Sequence, residues 1–384
     1  MYIKSLSYED QSTDWKLEKI EFKSLTLLVG VSGVGKTQIL KGLLNLKAIA
    51  RGRSINGLKW EIEFKTSKEH RCKWLGSFEN KGFISDFLAE IFLDDDEKEK
   101  PSIENEQLFI DDVLVVDRKS GGITFNGNKT VKLSQQESVI SLLKEEEQVK
   151  DIYEEFKKIL FDNNVGDSSK LERLSFDSEI KVKLIKYKSL RAIRNSDENI
   201  KTKLCLLYKN QKKSFQDIVD AFVDIFPYVE KIKIEPVTND SNKLPVFFRE
   251  FPFIQIKEKN VPHWIDEIKM SSGMLRTLMH IAELYLCADD TVILIDKFEN
   301  SLGINCLNQI TRSIIASERN LQFIITSHHP YIINDIAIEY WKIVTRRGGV
   351  VTATDAETLG IGKSKHQAFT QLANLTAYSE GIES

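Results

Sequence analysis

Eight residues near the N-terminus, Gly30-Val31-Ser32-Gly33-Val34-Gly35-Lys36-Thr37, satisfy the pattern G-x-x-x-x-G-K-[ST] in full. The chemistry that pattern serves is phosphate binding. Glycines let successive backbone N–H groups curl around a β-phosphate, and a helix that follows adds its positive end. Lys36 then reaches the β and γ oxygens, and the Thr37 hydroxyl coordinates Mg²⁺. Gly30, Ser32, Gly33, Val34, Gly35, Lys36 and Thr37 are therefore the candidate nucleotide contacts. Their context fits: the apolar run Leu25–Val29 precedes them as a strand, and Ile39, Leu40, Leu43 and Leu44 follow at helical spacing.

A second apolar run, Val292–Ile295, ends on Asp296. A carboxylate at the tip of a strand beside the phosphate loop would hold the Mg²⁺ hydration shell. A third run, 321–326, ends in Ser327-His328-His329-Pro330. A lone histidine is ordinarily a satisfied loop residue, but after two phosphate-handling segments His328 is placed to hydrogen-bond a γ-phosphate, His329 much less so. Between these lies Ser271-Ser272-Gly273, followed by Leu275, Leu278, Ile281, Leu284 and Tyr285 at helical spacing. A Ser-Gly turn that opens a helix is itself an anion site.

In this order the segments resemble those of SMC-like, ABC-type P-loop ATPases, in the branch often labelled AAA15 that supplies ATPase subunits of bacterial anti-phage defence systems. "GVSGVGKT" resembles their Walker A, "SSGMLRTL" the signature motif, "VILIDKFENSLG" the Walker B and D-loop, and "TSHHP" the switch histidine. Residues 107–118 and 133–143 also resemble segments of that branch, and the likeness covers residues 1–145 and 225–350. The resemblance implies an α/β fold, a mixed central sheet with a flanking antiparallel sheet and a helical insertion. It implies ATP and Mg²⁺ as cofactors, with Thr37 and Asp296 on the metal. It also implies a composite site, in which Ser272 and Gly273 complete the nucleotide of a second copy and ATP joins a homodimer or higher homo-oligomer. A glutamine loop is part of the family pattern, with Gln107, Gln135 and Gln136 as candidates.

One residue departs from the pattern. Family members usually read Asp-Glu where this chain reads Asp296-Lys297, so Lys297 stands at the catalytic glutamate's position. A lysine ammonium holds its proton at neutral pH and cannot take one from water. It can pair with a γ-phosphate instead, so ATP binding is expected to persist while turnover falls by about 10²–10⁴. Lys297 then marks either a disabling change or a subunit that senses ATP. Glu299 is a poor substitute, being expected to begin the D-loop.

The elements that must position these residues follow from pattern. Residues 1–136 read as a first lobe of strands, with hairpin turns at Gly121-Gly122 and Asn126-Gly127. Residues 137–226 read as a helical insertion, beginning with a helix that aligns Val149, Ile152, Tyr153, Phe156, Ile159 and Leu160. Its roughly 90 residues are too few for long coiled-coil arms. Residues 227–384 form the second lobe, closing with a strand pair and one helix. Within the insertion, Lys181, Lys183, Lys186, Lys188, Arg191 and Arg194 surround Tyr187, a run able to track nucleic-acid phosphates or to form a solvated face.

The 384 residues are 41% hydrophobic and 29% charged with a net charge of −3, so no global field draws the protein to nucleic acid or membrane. Four scattered cysteines make no zinc or disulfide frame, and no run is long enough to span a bilayer, which points to a cytoplasmic protein. No nuclease constellation is visible, so any cutting would fall to a separate effector held by the insertion or the tail. The reading is thus an ATP-dependent sensor or scaffold of a defence complex; the alternative is a RecF-like repair ATPase that clamps DNA.

Overall fold

The computed structural model describes residues 1–81, 100–120, 122–162, 180–236, 252–299, 311, 319–362, 365–375, 378 and 381. Gly121, Cys306 and the D-loop beyond Glu299 lie outside the described residues. The chain forms two compact units. The first comprises Met1–Asp162, Asp290–Phe298 and Arg319–Ser384, the second Asn163–Asp289 and Glu299–Glu318.

The strands in chain order begin with β1 (Tyr2–Asp10), β2 (Trp15–Glu21), β3 (Leu25–Val29), β4 (Leu58–Lys65), β5 (Arg71–Phe78) and β6 (Ile103–Ile110). There follow β7 (Val113–Lys119), β8 (Gly122–Phe125), β9 (Asn128–Lys129), β10 (Ile159–Asp162), β11 (Val229–Pro236) and β12 (Pro252–Glu258). The last are β13 (Ile265–Asp266), β14 (Val292–Ile295), β15 (Gln322–Thr326), β16 (Trp341–Arg347) and β17 (Val350–Asp355).

In the first unit the order is β10-β14-β15-β3-β16-β17-β2-β1-β4-β5-β6-β7-β8-β9. From β10 to β16 neighbouring strands are parallel. Every residue of β3, β14 and β15 is buried, as expected of parallel strands covered on both faces. From β2 through β9 the pairing is antiparallel. The flanking antiparallel strands therefore continue the central sheet and do not form a second one. β4 shows why: Leu58, Trp60, Ile62 and Phe64 alternate inward and pack on a core built around Trp74 and Phe156, whose rings meet edge-on at 5.2 Å. Phe156 comes from the helix Glu147–Lys157, which also buries Val149 and Ile152. Asp111-Asp112 and Asn126-Gly127 take left-handed φ in succession, the conformation that closes two-residue hairpins.

Two sequence expectations change here. The helix predicted through Ile159 and Leu160 ends at Lys157, and Ile159–Asp162 becomes β10, parallel to the strand that carries Asp296. An aliphatic edge beside a buried strand outweighs helical periodicity. The compact units also divide elsewhere than at residues 136 and 226. The helices Val139–Leu142 and Glu147–Lys157 belong to the first unit, because they cover its sheet.

In the second unit the short helices Ile180–Lys186, Leu190–Arg194, Ile200–Asn210 and Lys212–Ile225 accompany the sheet β11-β12-β13. The helix Ser272–Leu286 packs on the last two of them and buries Leu278, Ile281, Ala282 and Leu286. Among the described residues no helix is long and apolar enough to cross a membrane. Cys72, Cys205 and Cys287 are buried; burial pushes the Cys72 thiol up to about 12 and the Cys205 thiol up to about 11.

Candidate functional site

After β3 the chain turns through Gly30–Gly35 into the helix Lys36–Ala50. Gly30 approaches β16 so closely that a Cβ there would stand 2.5 Å from the Val344 carbonyl oxygen. Gly33 and Gly35 have φ of +90° and +107°, the region where glycine alone is at ease. Gly35 is the helix's N-cap without a side-chain cap, and the first turn carries no acidic side chain, so the positive end of the helix adjoins the loop uncompensated by an acid of its own first turn. Val34 anchors the loop from behind, buried in the core.

Lys36 is 5% exposed, and its ammonium donates to the carbonyl oxygens of Gly30 at 2.7 Å and Val31 at 2.8 Å. The charge is thereby held inside the curl of the loop. One residue on, the Thr37 hydroxyl lies 3.0 and 2.9 Å from the two Asp296 oxygens. Parallel register explains the meeting: Ile295 pairs with Ile325, and Ile325 with Leu27, so three strands end along the same edge.

Thr326 closes this cluster from β15. Its hydroxyl donates to Asp296 at 2.6 Å and accepts the Lys297 backbone N–H at 2.7 Å. Its carbonyl takes the N–H of Phe298, a buried side chain that pins the chain after the strand. Lys297 sits between these anchors with φ of +50°, and its side chain is exposed.

These residues line one cleft of about 490 Å³, within the first unit. Ser32, Gly33, Gly35, Lys36, Thr37, Asp296, Lys297, Thr326 and His328 all contribute to it. Its ionised side chains are Lys36, Lys41, Lys297 and Arg346 against Asp10 and Asp296, an excess of two positive charges suited to a polyanion. The oxygen donors Thr37 and Asp296 suit Mg²⁺, which takes few protein ligands and completes its shell with water and phosphate. Among the described residues no cluster of three His, Cys, Asp or Glu offers a self-contained metal cage.

His329 serves the local backbone. Its ring accepts the Tyr331 N–H at 3.3 Å, caps the helix Pro330–Asp335, and stacks on the Tyr331 ring. Ser272 and Gly273 lie in the second unit, at the start of the helix Ser272–Leu286. Ser271 caps that helix by accepting the Met274 N–H at 3.2 Å, which leaves Ser272 exposed in its first turn. None of the three candidate glutamines lines the cleft. Gln107 donates to Asp117 at 2.8 Å, while the Gln135 and Gln136 carbonyls accept from Ile103 and Ser54. Their loop is fastened by the buried Glu106, which accepts from Trp74, Ser138 and Val139 beside the Arg118 guanidinium.

The basic run of the insertion is divided. Lys183 pairs with Glu198 at 2.7 Å, Arg194 donates to the Tyr285 carbonyl, and Lys186 lies over the Tyr187 ring. Lys188 and Arg191 are exposed, and the Lys181 side chain lies outside the described residues.

Sequence pattern did not reach Thr326, Arg346 or the end of the β1–β2 hairpin. Arg346 donates to Gly348 at 2.7 Å and to the loop carbonyl of Gly33 at 3.5 Å. Tyr8 and Trp15 line the same cleft. Burial pushes the Tyr8 hydroxyl up, against the hydrogen bond from Asn45.

A family model described as "AAA domain, putative AbiEii toxin, Type IV TA system" matches residues 25–334. Comparison with curated proteins returned no match. Among solved structures, an Smc head bound to the C-winged helix domain of ScpA is similar at 14% identity and a TM-score of 0.48, covering 92% of this chain and 98% of that one. The SMC head domain from Thermotoga maritima is similar at 13% identity and a TM-score of 0.43, with 92% and 99% covered. An Smc head with an extended coiled coil, bound to the C-terminal domain of ScpA and derived from Pyrococcus furiosus, gives 12% and 0.47, with 94% and 98% covered.

Proposed function

The chain belongs to the AAA-domain family whose description joins it to the AbiEii toxin and type IV toxin–antitoxin systems, and on that footing we propose that it is the ATP-binding subunit of a bacterial anti-phage defence complex. It acts as an ATP-dependent dimerising sensor that governs a separate effector of the nuclease class. The observation that carries this reading is the cleft itself: Lys36, Thr37 and Asp296 equip it to hold a nucleoside triphosphate with Mg²⁺, and Lys297 occupies the place of a base.

Binding and turnover separate on chemical grounds. Asp10 and Asp296 are the carboxylates among the cleft's lining residues, and Asp296 is engaged by two threonine hydroxyls. An ammonium at 297 attracts the γ-phosphate without accepting a proton, so bound ATP is retained and slowly spent. Ser272, exposed at a helix start free of acidic residues, and the neighbouring half-buried Gly273 then close over the triphosphate of a second copy. A subunit that holds ATP in this way suits the toxin–antitoxin setting of the family's description, where a toxic activity must be kept in check.

The test against a DNA-clamping repair role is affinity for gapped duplex DNA. The isolated chain is expected to bind it weakly and to lose most of that binding between about 50 and 200 mM salt. Tight binding specific for the gap, surviving the higher salt, would overturn the sensor reading in favour of the RecF-like one.

A further inference from the structure

The hairpin that joins β16 to β17 turns through Gly348 and Gly349 beside the phosphate loop, and three contacts fix its position. A Cβ at Gly349 would stand 1.9 Å from the Asp14 carbonyl oxygen, and the Gly349 carbonyl accepts the Lys16 N–H at 2.9 Å. The Val344 carbonyl abuts Gly30 at the start of the loop. Gly381 supplies the third contact. Its carbonyl accepts the Arg346 backbone N–H at 2.7 Å, and a Cβ on it would come within 2.6 Å of Val31 and 2.7 Å of Val34. Arg346 therefore leaves a backbone that is pinned to the loop.

The Arg346 side chain is exposed and lines the cleft together with Ser32 and Gly33. Its Nε donates to the Gly348 carbonyl at 2.7 Å, which anchors the guanidinium at one edge. Nη1 reaches the Gly33 carbonyl at 3.5 Å, the limit of a hydrogen bond, and Nη2 makes none among the described residues. Nor does Arg346 form an ion pair among the described residues. An anchored guanidinium without a counter-charge, beside a loop that curls around phosphates, suits an anion, and its planar fork matches two phosphate oxygens at once.

We infer that Arg346 is a phosphate-binding residue of this cleft, turning its Nη edge from the Gly33 carbonyl to the triphosphate of the bound nucleotide. The inference rests on the ATP-binding reading above. Lys36 is the charge held inside the loop; Arg346 supplies another from outside it, within the same copy.

Calorimetric titration with ATP and with inorganic tripolyphosphate, each with Mg²⁺, tests this role. Arg346→Gln keeps an N–H donor for the loop carbonyl and removes the charge. It is expected to weaken both ligands about tenfold, equivalent to about 1.4 kcal/mol. Arg346→Lys keeps the charge without the fork and is expected to lose less than the glutamine variant. Unchanged affinity in Arg346→Gln, or an equal loss in the two variants, would overturn the inference and leave Arg346 a brace of the hairpin. A loss confined to ATP would overturn it as well, placing the contact on the nucleoside. Failure of the unaltered chain to bind either ligand would instead sink the ATP reading itself.

Discussion

Lys297→Glu is expected to raise steady-state ATP turnover by about 10²–10⁴-fold, the usual worth of a positioned general base. The expectation follows from how little else must change. The position-297 backbone N–H is held by the Thr326 hydroxyl, and the following Phe298 is buried, so either side chain starts from the same anchored point. Position 297 is exposed and lines the cleft, which gives a carboxylate room to reach an attacking water. The unusual φ of +50° is shared by both variants and cancels in the comparison. Glutamate also removes a positive charge from the cleft, so ATP affinity is expected to fall as turnover rises. Phosphate release under saturating ATP is the readout. Equal, negligible release by both forms would mean that the missing base is not what limits this chain.

The second large effect concerns Asp296. Asp296→Asn is expected to weaken Mg²⁺-dependent ATP binding about 10–100-fold, the range typical for residues that orient a metal's shell. Asparagine keeps the shape and one acceptor oxygen, so the contacts with Thr37 and Thr326 are partly retained and the fold is preserved. What is lost is the negative charge facing the cation. Parallel titrations with Mg²⁺ and with a chelator isolate that loss, which should vanish when the chelator is present. An equal drop in both would assign Asp296 to loop architecture and not to the metal.

The residues that the sequence makes legible are those whose requirements are local. A phosphate loop needs glycines, a lysine and a hydroxyl within eight positions, bracketed by a strand and a helix, and all of that is written consecutively. Asp296 and His328 are legible at one remove, because each ends an apolar run. Thr326, Arg346 and Trp15 are not legible, since a threonine at a strand end, an arginine near a hairpin or a tryptophan opening a strand has many ordinary uses. Only the register of β3, β14, β15 and β16, and the approach of the β1–β2 hairpin to Gly35, bring these residues to the cleft. β10 was hidden for a related reason. Ile159 and Leu160 extend the apolar face of the preceding helix in sequence, yet both pair with β14 as an edge strand, in which Ile159 is fully buried.

In the proposed function ATP joins two copies, each lending the start of its Ser272–Leu286 helix to the other's phosphate loop. The most direct test of that joining is the solution mass of the chain, by sedimentation, with Mg²⁺ and saturating ATP and then without nucleotide. Twice the single-chain mass or a higher multiple is expected with ATP, the single-chain mass without it, and no ATP-induced increase for Ser272→Arg although that variant still binds ATP. A single-chain mass for the unaltered protein with ATP bound to every copy would contradict it.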